Sequence, residues 1–273
     1  MLGLIYSIYR KLFARRCFIK LNKFLYYCSI RGLGIYNYEN MNVSGENSFI
    51  QKIIKKNAIG KKKFVVFDIG ANKGEYTKFL AENISNSSIF AFEPHPLTFK
   101  VLSKKCSCLN DIILFNCALA AEKSILKLYD YKSKDGSSHA SLSSKVFTDV
   151  HGSKTISHQV DVTTVDLICE ENNIKRIDLL KIDVEGYELD VLRGSKRMIQ
   201  SDLVKFIQFE FTQLNTSTRV FFKDFWEILS EKYRIYRLLP NSLLEIKEYN
   251  PSDNEIFGYQ NFIAIHKDVK NAI

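Results

Sequence analysis

The chain has 273 residues, 46% hydrophobic and 25% charged, with few glycines and prolines. That fits one large globular domain, with or without an appendage, and argues against long disordered tracts. No apolar run approaches the roughly 18 residues of a membrane-spanning helix, and the six scattered cysteines form no Cys-x-x-Cys clip, which disfavours a zinc module and reads as reduced thiols.

The net charge of +9 is concentrated at the front. Residues 1–63 hold 13 lysines and arginines against Glu39 and Glu46, whereas the other 210 residues hold 26 against 28 acids. No basic face runs the length of the chain, as nucleic-acid binders often show. Residues 1–30 mix apolar and aromatic side chains with Arg10, Lys11, Arg15, Arg16, Lys20 and Lys23 and contain no acid. They read as one or two basic amphipathic helices, suited either to an anionic membrane surface or to packing on their own domain. A Gly/Asn-rich connector, 31–46, leads to a basic helix over 47–58. Residues 1–58 are therefore expected to be a basic helical extension and 59–273 the main domain.

From Lys63 onward strands alternate with helices. FVVFDIG (64–70) and SIFAFEP (88–94) each end in an acid, and each is followed by a helical pattern, over 74–83 and 96–105. IILFNCAL (112–119) is a third strand. Such alternation implies right-handed crossovers and a parallel sheet. SILKLYDY (124–131) and HQVDVTTVD (158–166) alternate like a hairpin inserted before the sheet resumes, with a polar loop between them. IDLLKID (177–183) and KFIQFEF (205–211) are the fourth and fifth parallel strands. Segments at 233–239, 243–249 and 261–267 close the chain in antiparallel fashion.

Three strand ends carry the chemistry. Asp68 is followed by Gly70-x-x-x-Gly74 and a helix, a turn whose backbone can approach a ligand closely. A dinucleotide enzyme would need three glycines and no acid there. Glu93 follows Gly70 by 23 residues, the spacing at which a carboxylate accepts both hydroxyls of a ribose. One acid for an ammonium group, another for a ribose and no phosphate site together describe S-adenosylmethionine. The third end, LLKIDVEGYELDVL, puts Asp183, Glu185 and Glu188 after a greasy strand.

VFDIGANKGEYTKFL, AFEPHPLTFKVL, NCAL and above all IDLLKIDVEGYELDVLRG resemble the FkbM-type methyltransferases, from about Phe64 to Phe211. The resemblance implies an α/β, Rossmann-like class I methyltransferase fold. Its sheet would be mostly parallel and seven-stranded, with an antiparallel final strand, behind an N-terminal helical extension. It also implies S-adenosylmethionine as cofactor and O-methylation of a sugar in a glycan or glycolipid precursor of the bacterial surface-polysaccharide type. Asp68, Gly70, Ala71, Asn72 and Gly74 would line the methionine and ribose side, Glu93 would hold the ribose, Pro94 would lie against the adenine, and Asn116 and Ala118 would face its edge.

An alcohol is a weak nucleophile at neutral pH and needs a base, or a metal that lowers its pKa. Asp183 or Glu210, at the ends of the fourth and fifth strands, is the expected base, directly or through Mg²⁺ or Mn²⁺ held by the two, with Glu185 orienting the acceptor. Glu188 is expected to steady a helix terminus, and Gly186 to permit a tight turn. His95 is expected over the cofactor pocket; His139, in a polar loop able to fold over the site, and His158 are both expected as surface-loop histidines. Placement is expected in the cytoplasm, peripheral at the inner face of the membrane, with no nucleic-acid partner. One rival, motivated by the basic N-terminus, is a nucleic-acid methyltransferase; against it, base-amino enzymes carry Asn/Asp-Pro-Pro-Tyr/Phe where this chain has Asp183-Val184-Glu185-Gly186, and acids around the methyl repel phosphates. A non-catalytic adenosylmethionine-binding or membrane-associated protein is the second rival.

Overall fold

Short apolar runs that feed ten-residue helices form a parallel sheet only if each crossover packs back on it, and that is what the chain does. The computed structural model describes residues 1–133, 135–137, 139–144 and 154–270. Its strands are β1 (Phe64–Ile69), β2 (Ser87–Phe92), β3 (Ile112–Phe115), β4 (Ala118–Leu119), β5 (Ser124–Tyr131), β6 (Thr155–Thr163), β7 (Ile177–Ile182), β8 (Val204–Phe211), β9 (Tyr233–Leu238), β10 (Leu243–Ile246) and β11 (Gln260–His266). The main sheet runs β10-β9-β11-β8-β7-β1-β2-β3. Pairs β1–β2, β2–β3, β1–β7 and β7–β8 are parallel, whereas β11 is antiparallel to β8 and β9. The chain moves outward from β1 through β2 and β3, then returns to the other side of β1 with β7 and β8. The switch point, where open sheets of this type bind ligands, therefore lies at the carboxyl ends of β1 and β7.

Neighbouring residues on these strands face opposite layers. Val66, Leu179 and Phe206 pack in one buried cluster with Phe49 and Ile54, while Phe67, Leu180 and Ile207 pack in another with Phe225. Cover on both faces explains why the parallel strands read as unbroken apolar runs.

Two features differ from the sequence expectation. The main sheet has eight strands, not seven, because a tight turn closed by Leu239 N–H donating to Ser242 O (2.9 Å) sends β10 back antiparallel along β9. IILFNCAL is two strands: β3 stops at Phe115, and Ala118–Leu119 leaves to pair with β6 in a separate sheet of order β4-β6-β5. The break falls at Asn116, whose side-chain amide donates to the carbonyls of Glu93 (2.8 Å) and Pro94 (3.1 Å). The helical stretch Glu46–Ala58, with a wider π turn at Ile50–Ile54, buries Phe49, Ile50 and Ile54 in the domain core. Helices Leu2–Phe13 and Ile19–Gly32 bury only Ile30. Among the described residues no helix is long and apolar enough to cross a membrane.

Candidate active site

The end of β1 is pressed against the end of β7. Asp183 N–H donates to Ile69 O (3.0 Å), and Gly70 takes φ +81°. A Cβ at Gly70 would lie 1.8 Å from Asp183 O, so this crossing requires glycine. Gly70 and Ala71 N–H groups both donate to Phe92 O at the end of β2. Asn72 follows in the left-handed region (φ +50°) and donates its N–H to Glu93 Oε2 (2.9 Å), while His95 N–H donates to Oε1 (2.8 Å). Burial pushes the Glu93 carboxyl up to about 7 despite those two donors.

The strand ends surround a cavity of about 620 Å³, within the range of small-molecule sites. Gly70, Asn72, Glu93, Pro94 and Ala118 line it, and so do Asp183, Glu185 and Glu210. Four expected residues do not. Asp68 is fully buried, accepting from Thr77 Oγ1 (2.6 Å) and lying 3.5 Å from Lys181 Nζ. Ala71 packs with Ala91 and Leu102, and Gly74 (φ +82°) lies against Leu102 where it starts the helix Glu75–Asn83. Asn116 is occupied in tying Glu93 to Pro94.

Lys181 is the residue the sequence reading passed over. It sits in the middle of LLKID, nearly buried, with Nζ 3.0 Å from Asp183 Oδ2 and 5.0 Å from the Tyr76 ring centroid. Burial opposes its charge, but Asp183, Asp68 and Glu46 outweigh burial and push the ammonium above its ordinary value. Glu46, also missed, reaches the same cluster through Gln208 Nε2 (2.8 Å) and Ser44 Oγ (2.8 Å). Tyr76 OH donates to the other end of the Gln208 amide (2.7 Å). Several acids thus share one internal cation. Burial and neighbouring carboxylates raise the pKa of Glu210 well above the usual carboxylate range, and burial raises that of Glu185. The surplus of acid is a surrounding that favours a cationic ligand.

The turn after β7 is built to present these groups. Glu185 has φ +54° and Gly186 φ +99°, a non-glycine residue held in a sparsely populated conformation at the cavity wall. Glu188 Oε1 accepts from Val184 N–H (3.2 Å) and Gly186 N–H (3.0 Å), so it holds the turn from the start of its helix. Ser141 Oγ donates to Glu185 O, and His139 Nδ1 lies 3.5 Å from Glu185 Oε1. The described part of the polar loop therefore lies along the cavity; residues 145–153, part of the same loop, lie outside the described residues.

The residues present do not fit the expected divalent cation at Asp183 and Glu210. Lys181 already stands at the Asp183 carboxylate, and these acids do not bring three ligand atoms together. Among the described residues the group that does is His95, Asp135 and His158, with both Nε2 atoms 2.9 Å from Asp135 Oδ1. His95 Nδ1 accepts from Leu97 N–H, so its Nε2 carries the proton and donates. Burial disfavours the Asp135 charge, but hydrogen bonds from the two imidazoles outweigh it and hold the carboxyl below its ordinary value. The trio is a hydrogen-bonded clamp between the β5–β6 insertion and the Glu93 loop. It corrects two expectations: His95 is buried beside the cavity without lining it, and His158 is engaged rather than free at the surface.

A profile described as "Methyltransferase FkbM domain" matches residues 68–238, more than half of the chain. The chain belongs to the FkbM methyltransferase family. It is 34% identical over 142 residues to "Methyltransferase 1" of Beauveria bassiana, covering 47% of this chain and 57% of that protein. It is 26% identical over 188 residues to "Hexuronic acid methyltransferase AglP" of Haloferax volcanii, covering 68% and 69%. It is 24% identical over 157 residues to "2-O-methyltransferase NoeI" of Sinorhizobium fredii, covering 54% and 63%. The chain thus spans less than two thirds of the fungal relative. The FkbM match begins at Asp68 and so takes in all three acid-bearing strand ends, and leaves out residues 1–67.

A ribose held at Glu93 would donate its hydroxyls to the ionised carboxylate, so ligand binding and protonation would compete. Affinity for adenosylhomocysteine is expected to hold above the pKa of about 7 and to weaken as pH falls through it, approaching about tenfold per unit. Titration calorimetry across that range checks it, and Glu93→Gln is expected to flatten the profile.

Proposed function

We propose that the protein transfers the methyl group of S-adenosylmethionine to a hydroxyl oxygen of a sugar, in a glycan or glycolipid precursor. The observation that carries this reading is the meeting of Glu93 and Asp183, from strand ends on opposite sides of β1, on one cavity at the switch point. Family membership supports methyl transfer. The names of the Haloferax and Sinorhizobium relatives, a hexuronic acid methyltransferase and a 2-O-methyltransferase, support a sugar acceptor.

In this reading Glu93 holds the ribose, with Gly70 and Asn72 beside it and Pro94 and Ala118 toward the adenine. When bound there, the cofactor would supply an electrophilic methyl on a sulfonium, its C–S bond breaking as the C–O bond to the acceptor forms and a neutral thioether leaving. Asp183 would orient the acceptor hydroxyl toward that methyl and take its proton. Lys181 fixes the Asp183 carboxylate from the far side. Glu185 and Glu210 are placed to hydrogen-bond the acceptor's other hydroxyls. Tyr36, Tyr38 and Tyr259 add aromatic side chains to the cavity wall on which a sugar could pack, with Tyr38 edge-on to Tyr259 at 5.9 Å.

Mass spectrometry of a glycan or glycolipid extract incubated with enzyme and isotope-labelled adenosylmethionine tests the reading. A labelled methyl on a sugar oxygen is expected. Label found only on nucleic acid or protein would overturn the acceptor class, and no transfer to any fraction would overturn the reading itself. Because Lys181 stands where a metal would sit, turnover is expected to be unchanged by EDTA and by added Mg²⁺. Loss of turnover in chelator, restored by the metal, would reject that role for Lys181.

A further inference from the structure

The two N-terminal helices are left without cover by the rest of the fold. Leu2–Phe13 buries no residue, and Leu4, Tyr6 and Phe24 are 68%, 67% and 64% exposed. They are nevertheless tied to each other. Tyr9 OH donates to Asn22 Oδ1 (2.6 Å), Tyr9 stacks on Phe13 at 4.9 Å, and Phe13 meets Phe18 edge-on at 5.0 Å. Leu2, Ile5, Tyr9 and Leu12 recur at helical spacing on one face, while Ser7, Arg10 and Lys11 take the other. Residues 1–30 of the pair present six cations, Arg10, Lys11, Arg15, Arg16, Lys20 and Lys23, and no acid.

We propose that this pair of helices docks the protein on an anionic lipid surface, with the apolar face at the acyl boundary and the cations among the headgroups. Charge decides between occupants. A second copy would bring six cations against six and be repelled, whereas an anionic bilayer meets the cations and removes the apolar face from water together. A nucleic acid would satisfy the charge and leave Leu2, Ile5 and Leu12 exposed. The second helix runs directly to Tyr36, whose N–H donates to Tyr259 O (2.8 Å) and whose side chain lines the cavity. Docking there would hold that wall of the cavity near the bilayer. The proposal stands on the helices alone and does not depend on methyl transfer.

Flotation of the full chain with phosphatidylcholine vesicles, with and without roughly 30 mol % phosphatidylglycerol, tests it. Co-flotation with the anionic vesicles and little with the neutral ones is expected. Combined Arg10→Glu, Lys11→Glu, Arg15→Glu and Arg16→Glu is expected to reduce vesicle partition at least about tenfold, and combined Leu2→Ser, Ile5→Ser and Leu12→Ser to do likewise. Neither set touches the core, so thermal unfolding should not change. Equal binding to both vesicle types, or none to either, would overturn the proposal. So would salt-sensitive RNA binding, or self-association seen by sedimentation velocity, that the same variants abolish while vesicles go unbound.

Discussion

Asp183→Asn is expected to lower turnover by about 10²–10⁴-fold, the range for losing a positioned general base, while adenosylhomocysteine binds as before. The substitution is nearly isosteric. The amide oxygen can still accept from Lys181 Nζ, and Asp183 N–H still donates to Ile69 O, so the strand-end geometry has no reason to change. What is lost is a group that can take the acceptor's proton. Glu210→Gln serves as the comparison. Burial and the carboxylates of Asp183, Glu185 and Glu46 raise Glu210 well above the usual carboxylate range, and in the proposed reaction it holds the acceptor's other hydroxyls. Its amide should therefore raise KM for the acceptor more than it lowers kcat. Single-turnover kinetics with labelled cofactor separate the two outcomes. Full turnover in Asp183→Asn would remove Asp183 as the base, and a greater loss of kcat in Glu210→Gln would transfer the role to it.

The parts of the site legible in the sequence were those fixed by local order. Gly70, Asn72, Glu93 and Asp183 all sit at or just past the ends of apolar runs, and an open parallel sheet brings such ends together whatever the loops do. Asp68 also ends an apolar run, but its side chain faces inward to Thr77 and Lys181. One residue's difference along a strand reverses the face, and periodicity alone does not say which face carries the cavity. Lys181 was in plain view as the one charge inside LLKI. A buried lysine must find partners, and Asp68, directly opposite Lys181 in the β1–β7 register, supplied one. Glu46, Tyr36, Tyr38 and Tyr259 were not legible. They come from the connector and from just before β11, segments remote in sequence from the motif strands and joined to them only by packing. The His95–Asp135–His158 clamp was hidden for the same reason, its members spread over two loops and the inserted hairpin.

Gly70→Ala is expected to damage both stability and binding, because two separate penalties fall on one atom. The first is conformational. A φ of +81° is rarely adopted by alanine, at a cost of about 1 kcal/mol or more. The second is steric. The new Cβ would stand 1.8 Å from Asp183 O and 2.8 Å from Asp183 C, and both are backbone atoms that no side-chain rotation can withdraw. Relief requires β1 and β7 to part, which stretches the Asp183 N–H to Ile69 O bond and moves Asp183 relative to Glu93. Together these suggest a loss of about 3 kcal/mol, or a fall in Tm of roughly 6–12 °C for a domain of this size. Affinity for adenosylhomocysteine should drop at least about tenfold as the cavity wall shifts. Gly60→Ala isolates the first penalty, since Gly60 has φ +77° and nothing within 4 Å of its would-be Cβ. It should lose only about 1 kcal/mol and bind normally. Differential scanning fluorimetry and calorimetric titration of the two variants side by side measure the difference. If Gly70→Ala proved no less stable than Gly60→Ala, the close crossing of the β1 and β7 ends, and with it the placement of Asp183 on the cavity, would be wrong.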